Sequence, residues 1–285
     1  MAFDITNPTP YDEVNFILNI LRCEVQSILG NQLVGMYLYG SLALGDFDQH
    51  KSDIDFVVVT AEELSDELLE ALCAMHRRLA TSGSKWANEL EGSYIPQKAL
   101  QRYDPSSARH PHIDRGGGSL SVEQHDSDWI IQRYSLREHG IVLAGPDPKT
   151  IIDPIQPDDL RQAVLDLLWW WELQLVDTSR VETSSYQADA VLSMCRLLYT
   201  MEYGTIVSKP EAARWAQRTL GEQWAALITR AFTWQPGKEI TFLKEDHFLN
   251  EDYFLIENHF TGDMDRLEQT LDFIRYAVDR CRQLK

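Results

Sequence analysis

Cysteine is scarce in this chain: Cys23, Cys73, Cys195 and Cys281 are far apart and form no C-x-x-C pair. Such spacing argues against a disulfide framework, and the four read as reduced core thiols. Long hydrophobic runs are missing too. The apolar stretches fall short of the roughly 20 residues that a spanning helix needs, so no membrane partner is expected. Met1-Ala-Phe-Asp carries no basic segment followed by an apolar one, so no leader is apparent and the cytoplasm is the expected compartment. Positive charge is also short, since 26 Lys and Arg against 44 Asp and Glu leave a net charge of −18. Such a field repels polyanions and argues against nucleic acid as a partner. It steers small polycations inward, although acidity that serves only solubility reads equally well.

The mixture that remains, 44% hydrophobic and 25% charged, is that of a globular protein and excludes low-complexity readings. At 285 residues the chain has room for two domains of ordinary size. The first is placed at 1–156 and the second at 157–285, joined through the proline-rich passage Pro146 to Pro157. A monomer is expected.

The chemistry is concentrated between Leu33 and Thr60. An apolar run, Leu33 to Tyr39, reads as a buried strand, Gly40-Ser41 as a turn, and Asp53-Ile-Asp-Phe-Val-Val-Val59 as a second strand. Side chains alternate along a strand, so Asp53 and Asp55 share one face about 6.6 Å apart along it. Like charges that close raise each other's pKa unless a cation lies between them. Mg²⁺, a hard ion that takes oxygen ligands and completes its shell with water and phosphate, fits a pair of Asp. Gly40-Ser41 offers a bare backbone N–H and a hydroxyl, a concavity suited to phosphate.

Around this core, Val14, Ile17, Leu18, Leu21, Val25, Ile28 and Leu29 form a helical stripe that Gly30 ends, and Ala61 to Ala80 reads as a second helix. Trp86 to Pro96 reads as a short strand with Glu89 and Glu91 on one face. A solvated strand-edge glutamate is the plain reading of either; beside the Asp pair, either supplies a third carboxylate. Residues 101–118 read as a mobile loop; His110-x-His112 has donors for a metal but no further ligand at a convincing spacing, so a surface loop is the preferred reading. A strand around Leu120 and Val122, a helix from Trp129 and a last strand at Ile141 to Ala144 follow. Asp126-Ser-Asp128 is read as the cap of that helix. From Asp158 onward the pattern is helical: Asp158 to Val176, Tyr186 to Tyr203, Pro210 to Leu220, Gln223 to Phe232 and Met264 to Gln283, with Thr233 to Gly262 irregular. Two of the three tryptophans Trp169, Trp170 and Trp171 are expected in the core. The fold class is therefore α+β, a mixed sheet with flanking helices followed by a helical bundle.

Gly40-Ser41, an eleven-residue spacer and Asp53-x-Asp55 resemble the core motif of the nucleotidyltransferase superfamily. Most of the chain is similar to the aminoglycoside adenylyltransferases acting on streptomycin and spectinomycin. Leu90-Glu91, the passage from Asp126-Ser-Asp128 through Arg137-Glu138-His139 to Gly145-Pro146, and Leu192 to Ala216 carry that likeness. The resemblance implies an enzyme that uses ATP as AMP donor and Mg²⁺ held by Asp53, Asp55 and Glu91. Glu91 is then the base that activates an acceptor hydroxyl. Gly40, Ser41 and Ser52, with Arg196 and Lys209 from the helical domain, serve the nucleotide, and Trp171 and Asp177 serve a small cationic acceptor. The segment after Trp171 is longer than the family pattern, which loosens the match at Asp177. For Arg196, an internal salt bridge with Asp189 or Glu202 is the alternative. A non-catalytic nucleotide-binding module, or an enzyme of this fold acting on a protein hydroxyl or another metabolite, are the rival readings.

Overall fold

The computed structural model describes residues 7–235 and 263–284, so the irregular stretch expected at 233–262 lies, from residue 236 on, outside the described residues. The chain divides into two compact units, Met1–Ala163 and Val164–Lys285.

The first unit runs α1 (Asp12–Leu29), β1 (Leu33–Leu38), α2 (Gly40–Leu44), β2 (Ile54–Thr60), α3 (Asp66–Ala80), β3 (Leu90–Pro96), α4 (Gln97–Gln101), β4 (Arg109–Ile113), β5 (Ser121–Gln124), α5 (Asp128–His139) and β6 (Ile141–Ala144). Its strands form one six-stranded sheet in the order β5-β4-β3-β2-β1-β6. Only β2 and β3 pair in parallel; the other neighbours are antiparallel. The mixed sheet with flanking helices is thus present. A parallel pair needs a crossover, and α3 supplies it. Ser65 caps α3 by accepting from the Leu68 N–H, which delays the helix start from the expected Ala61 to Asp66.

Alternation sorts the sheet into two faces. Met36, Leu38, Ile54, Phe56, Val58, Leu90 and Tyr94 pack against the apolar stripes of α1 and α3. Each such side chain contributes about 1.5–3 kcal/mol by leaving water. On the other face Tyr37, Tyr39, Val57, Val59 and Ile95 meet Leu100, Trp129 and Leu136. This second face also carries the acidic residues.

Several expectations are corrected. Gly40-Ser41 is not a plain turn but opens the short helix α2, because Gly40 takes a φ of 64° that swings the chain out of β1. Glu89 sits in a 3-10 turn (Lys85–Glu89) ahead of β3 and ion-pairs with Arg115. Residues 101–118 are not all loop: they contain β4, which places His110 at 0% exposure instead of on the surface. Asp126-Ser-Asp128 does not cap α5 through a side chain at the cap position. Ser127 stands there, with no side-chain cap bond, and Asp128 is the first helical residue. Of the cysteines, Cys195 and Cys281 are buried, Cys73 is half-buried and Cys23 is exposed, so Cys23 is no core thiol.

The division between units falls within α6 (Pro157–Val176). The second unit continues with α7 (Ser184–Tyr203), α8 (Lys209–Thr219), α9 (Glu222–Thr233) and α10 (Asp263–Gln283). Thr183 and Ser208 cap α7 and α8 by accepting from the Tyr186 and Glu211 N–H groups, and Gly204, at φ 64°, ends α7. The centre of the bundle is α7, packed on α8, α9 and α10. Its Val191, Met194, Cys195 and Leu198 are buried, as are Phe273, Ile274, Ala277 and Cys281 of α10. The tryptophan expectation fails: Trp169 is 52% exposed and Trp170 and Trp171 are only half-buried. Instead the Trp170 ring lies under the Arg180 guanidinium, 5.0 Å away. Among the described residues no helix is long and apolar enough to cross a membrane.

Candidate active site

The parallel register sets Asp55 directly beside Glu91. Paired residues of neighbouring strands share a face, so both carboxylates stand on the side of the sheet that carries Tyr39 and Trp129. Asp53 immediately precedes β2 and completes the group. Tyr39, at the end of β1, is buried, and its phenol is pushed well above its ordinary pKa by burial and then by Asp55, Glu91, Asp53 and Asp128. Four carboxylates therefore act on one phenol.

Glu91 reports the electrostatic load. Its carboxyl is raised to about 7, chiefly by burial, then by Asp53 and Asp114, against an opposing effect of Arg115. Asp128 is raised to about 6 by burial and by Asp126. Burial is the first cause of both shifts and a neighbouring carboxylate the second; a dication would offset both and suits oxygen donors.

Two further details fit a dication and a phosphate here. A Cβ on Gly40 would collide with the Asp55 carboxylate, so only glycine lets the backbone come this close. The Ser41 hydroxyl is buried without a hydrogen-bond partner, a group ready to donate to a ligand oxygen. Ser52 is engaged locally: its hydroxyl accepts from the Asp48 N–H at 3.0 Å and its own N–H donates to the Asp48 carbonyl at 2.8 Å, closing the loop ahead of Asp53.

In the second unit, Lys209, the first residue of α8, ion-pairs with Asp189 of α7. Against burial, which raises it, Lys209 and then Arg196 hold the Asp189 carboxyl below its ordinary value. Asp177 caps the 3-10 turn Thr178–Arg180, its carboxylate accepting from the Ser179 N–H at 3.1 Å. Trp171 lies one and a half turns earlier in α6. Asp114 and Asp128 are the neighbours of this site that sequence reading did not assign to it. For Asp126-Ser-Asp128 the sequence offers a place near the metal as well as the preferred cap, and Asp114 lies in a stretch that reads as loop.

Two family models match the chain. The nucleotidyltransferase domain covers residues 18–88, which hold β1, β2 and the Asp pair, and the C-terminal domain of aminoglycoside adenylyltransferases covers residues 150–251. Together these matches liken the chain to the aminoglycoside adenylyltransferases. Curated relatives agree in both their length and their names. An aminoglycoside (3'') (9) adenylyltransferase of Shigella flexneri is 26% identical over 229 residues, 77% of this chain and 84% of that one. A spectinomycin 9-adenylyltransferase of Staphylococcus aureus is 26% identical over 214 residues, 72% of this chain and 78% of that one. An Enterococcus spectinomycin adenyltransferase solved with ATP and spectinomycin shares the fold. Its TM-score is 0.65 at 19% identity, over 93% of this chain and 98% of that one.

Proposed function

We propose that this chain is a Mg²⁺-dependent adenylyltransferase that moves AMP from ATP to a hydroxyl of a cationic aminocyclitol or aminoglycoside, such as spectinomycin or streptomycin, releasing pyrophosphate. The observation that carries the reading is the Asp55–Glu91 register beside Gly40-Ser41. Two carboxylates side by side next to the start of α2 support a dication and a phosphate there. The relatives named for this reaction support it, and one structural neighbour was solved with ATP and spectinomycin.

Asp53, Asp55 and Glu91 would hold Mg²⁺, which when bound offsets charge on the triphosphate. Ser41 donates to a phosphate oxygen, while Arg196 and Lys209 offer positive charge to the leaving pyrophosphate. Glu91 takes the proton of the acceptor hydroxyl as its oxygen bonds to the α-phosphorus, and the bond from that phosphorus to the pyrophosphate oxygen breaks. Burial, then Asp53 and Asp114, raises the Glu91 carboxyl, and a bound dication would draw it back so that Glu91 is ionised and free to accept that proton. Trp171 and Asp177 are proposed to meet the acceptor, whose positive charge suits the acidic balance of the chain. Use of ATP assigns the work to the cytoplasm.

The deciding experiment is a mass-spectrometric transfer assay with ATP and Mg²⁺, offering spectinomycin and streptomycin separately. The gain of one AMP on either drug, abolished in Asp53→Ala, is expected. No gain on either, with metal-dependent ATP binding intact, would move the reading to a different acceptor.

A further inference from the structure

Among the described residues one group of three potential metal ligands has its donor atoms all within 4.8 Å of one another: His112, Asp114 and Glu123. It is distinct from the Asp53, Asp55 and Glu91 set. The β4–β5 hairpin builds it. Alternation puts His110, His112 and, one step past β4, Asp114 on one face. The register pairs His110 with Glu123 and His112 with Ser121, which brings Glu123 onto the same face.

The geometry within the group is that of ligands around a shared ion. His112 Nε2 stands 3.5 Å from Asp114 Oδ1, and the His112 side chain is only 12% exposed. Two ligands about 2.1 Å from a tetrahedral ion lie about 3.4 Å apart. The other ring nitrogen, Nδ1, is 2.7 Å from the buried Ser93 hydroxyl. With Nδ1–H as donor, that bond fixes the ring and turns the Nε2 lone pair to Asp114, the outer support that metal-ligating histidines typically have. Ser93 also meets His125 Nε2 at 3.1 Å, so the hydroxyl can accept from one ring and donate to the other. Glu123 has its own support: it accepts from the Ser121 hydroxyl at 2.5 Å. The adjacent cation, Arg115, is paired with Glu89.

A second observation lies beside the group. His110 is fully buried and neither of its ring nitrogens has a hydrogen-bond partner. An orphaned buried polar group costs about 1–3 kcal/mol and calls for an explanation. His110 lies two residues before His112 in β4, outside the three donors that converge.

We propose that His112, Asp114 and Glu123 form a second cation site that takes a borderline transition-metal dication of the zinc class. The imidazole decides the class, because Mg²⁺ takes oxygen donors in near-ideal octahedra whereas mixed imidazole and carboxylate sets suit Zn²⁺. Two carboxylates balance the charge of the ion. The site does not depend on the transfer reaction and is tested without nucleotide or acceptor.

The test titrates Zn²⁺ calorimetrically into the chelator-stripped, full-length chain, and reads visible absorption after loading with Co²⁺ as a spectroscopic stand-in. One equivalent of Zn²⁺ is expected in the wild type and equally in the Asp53→Asn/Asp55→Asn variant, which removes the Mg²⁺ ligands. His112→Ala and Glu123→Gln should each weaken binding at least tenfold and dim the Co²⁺ bands. Ser93→Ala should weaken it about tenfold through loss of outer support. Glu123 lies on the edge strand β5, so Glu123→Gln carries the test should His112→Ala unfold, with a thermal melt of each variant as control. Absence of Zn²⁺ binding, unchanged affinity in Glu123→Gln, or binding that disappears in the Asp53→Asn/Asp55→Asn variant would each overturn the site.

Discussion

The backbone of Gly40 lies so close to the carboxylate of Asp55 that a single added carbon would occupy the place of the Asp55 oxygen. The same glycine has a φ of 64°, which side chains other than glycine's disfavour by about 1–2 kcal/mol. Gly40→Ala should therefore do two separable things. Calorimetry should register a stability loss of about 1–2 kcal/mol, and metal-dependent ATP binding should fall by at least tenfold because Asp55 is displaced. Wild-type ATP affinity in that variant would mean that the close approach has no part in the site.

Glu91→Gln keeps the shape of the Glu91 side chain and removes its basicity. AMP transfer is expected to fall by about 10²–10⁴-fold, the usual worth of a general base, while ATP binding stays within a few-fold of wild type. Single-turnover transfer beside equilibrium ATP binding separates the two. Normal turnover would remove Glu91 from the chemistry.

Lys209 lies at the start of α8 and pairs with Asp189, but the two side chains are 29% and 55% exposed. A pair so open to water is worth at most about 1 kcal/mol. Lys209→Ala should lower the melting temperature only slightly while raising the KM for ATP by tenfold or more, and Lys209→Arg should recover much of it. A large stability loss with an unchanged KM would assign Lys209 to the scaffold.

His76 bonds through Nε2 to the Tyr94 hydroxyl at 2.8 Å, inside the core between the sheet and α3. Burial lowers its pKa to about 4, against roughly 6.5 when unfolded. The native state thus binds fewer protons than the unfolded state across that window. Its contribution to stability is complete above pH 6.5 and is lost as the pH falls towards 4, by about 3 kcal/mol. Denaturant melts between pH 7 and 4 should show that loss, and His76→Phe should reduce it by about that amount, the buried His110 and His125 supplying the rest.

The second unit was nearly legible in the sequence because its helices carry their own punctuation: Thr183 and Ser208 as caps, Pro210 in the first turn of α8, Gly204 at the end of α7. The α/β core was legible through Asp53-x-Asp55 and the apolar runs beside it. What escaped were elements whose signals compete with one another. Pro111 in the middle of β4, and the glycines 116–118 after it, read as loop; yet β4 is held by pairing to β3 and β5, a tertiary fact invisible to local pattern. With β4 missed, the alignment of His112, Asp114 and Glu123 on one face was also out of reach. The three tryptophans of α6 misled in the opposite direction, because size and apolarity suggested burial where the helix exposes Trp169.

The pairing of β2 with β3 has a consequence for how this protein tolerates change over generations. Because Asp55 and Glu91 are aligned by backbone hydrogen bonds, their separation does not depend on the length of the chain between them. Insertions and deletions near Glu62 or Gly83, outside α3, are free to accumulate without moving either carboxylate. A single-residue slip of β3 would instead send Glu91 through the sheet to the side of α1 and α3, ending the chemistry in one step. Natural variation in this region should accordingly be wide in loop length and nil in strand phase.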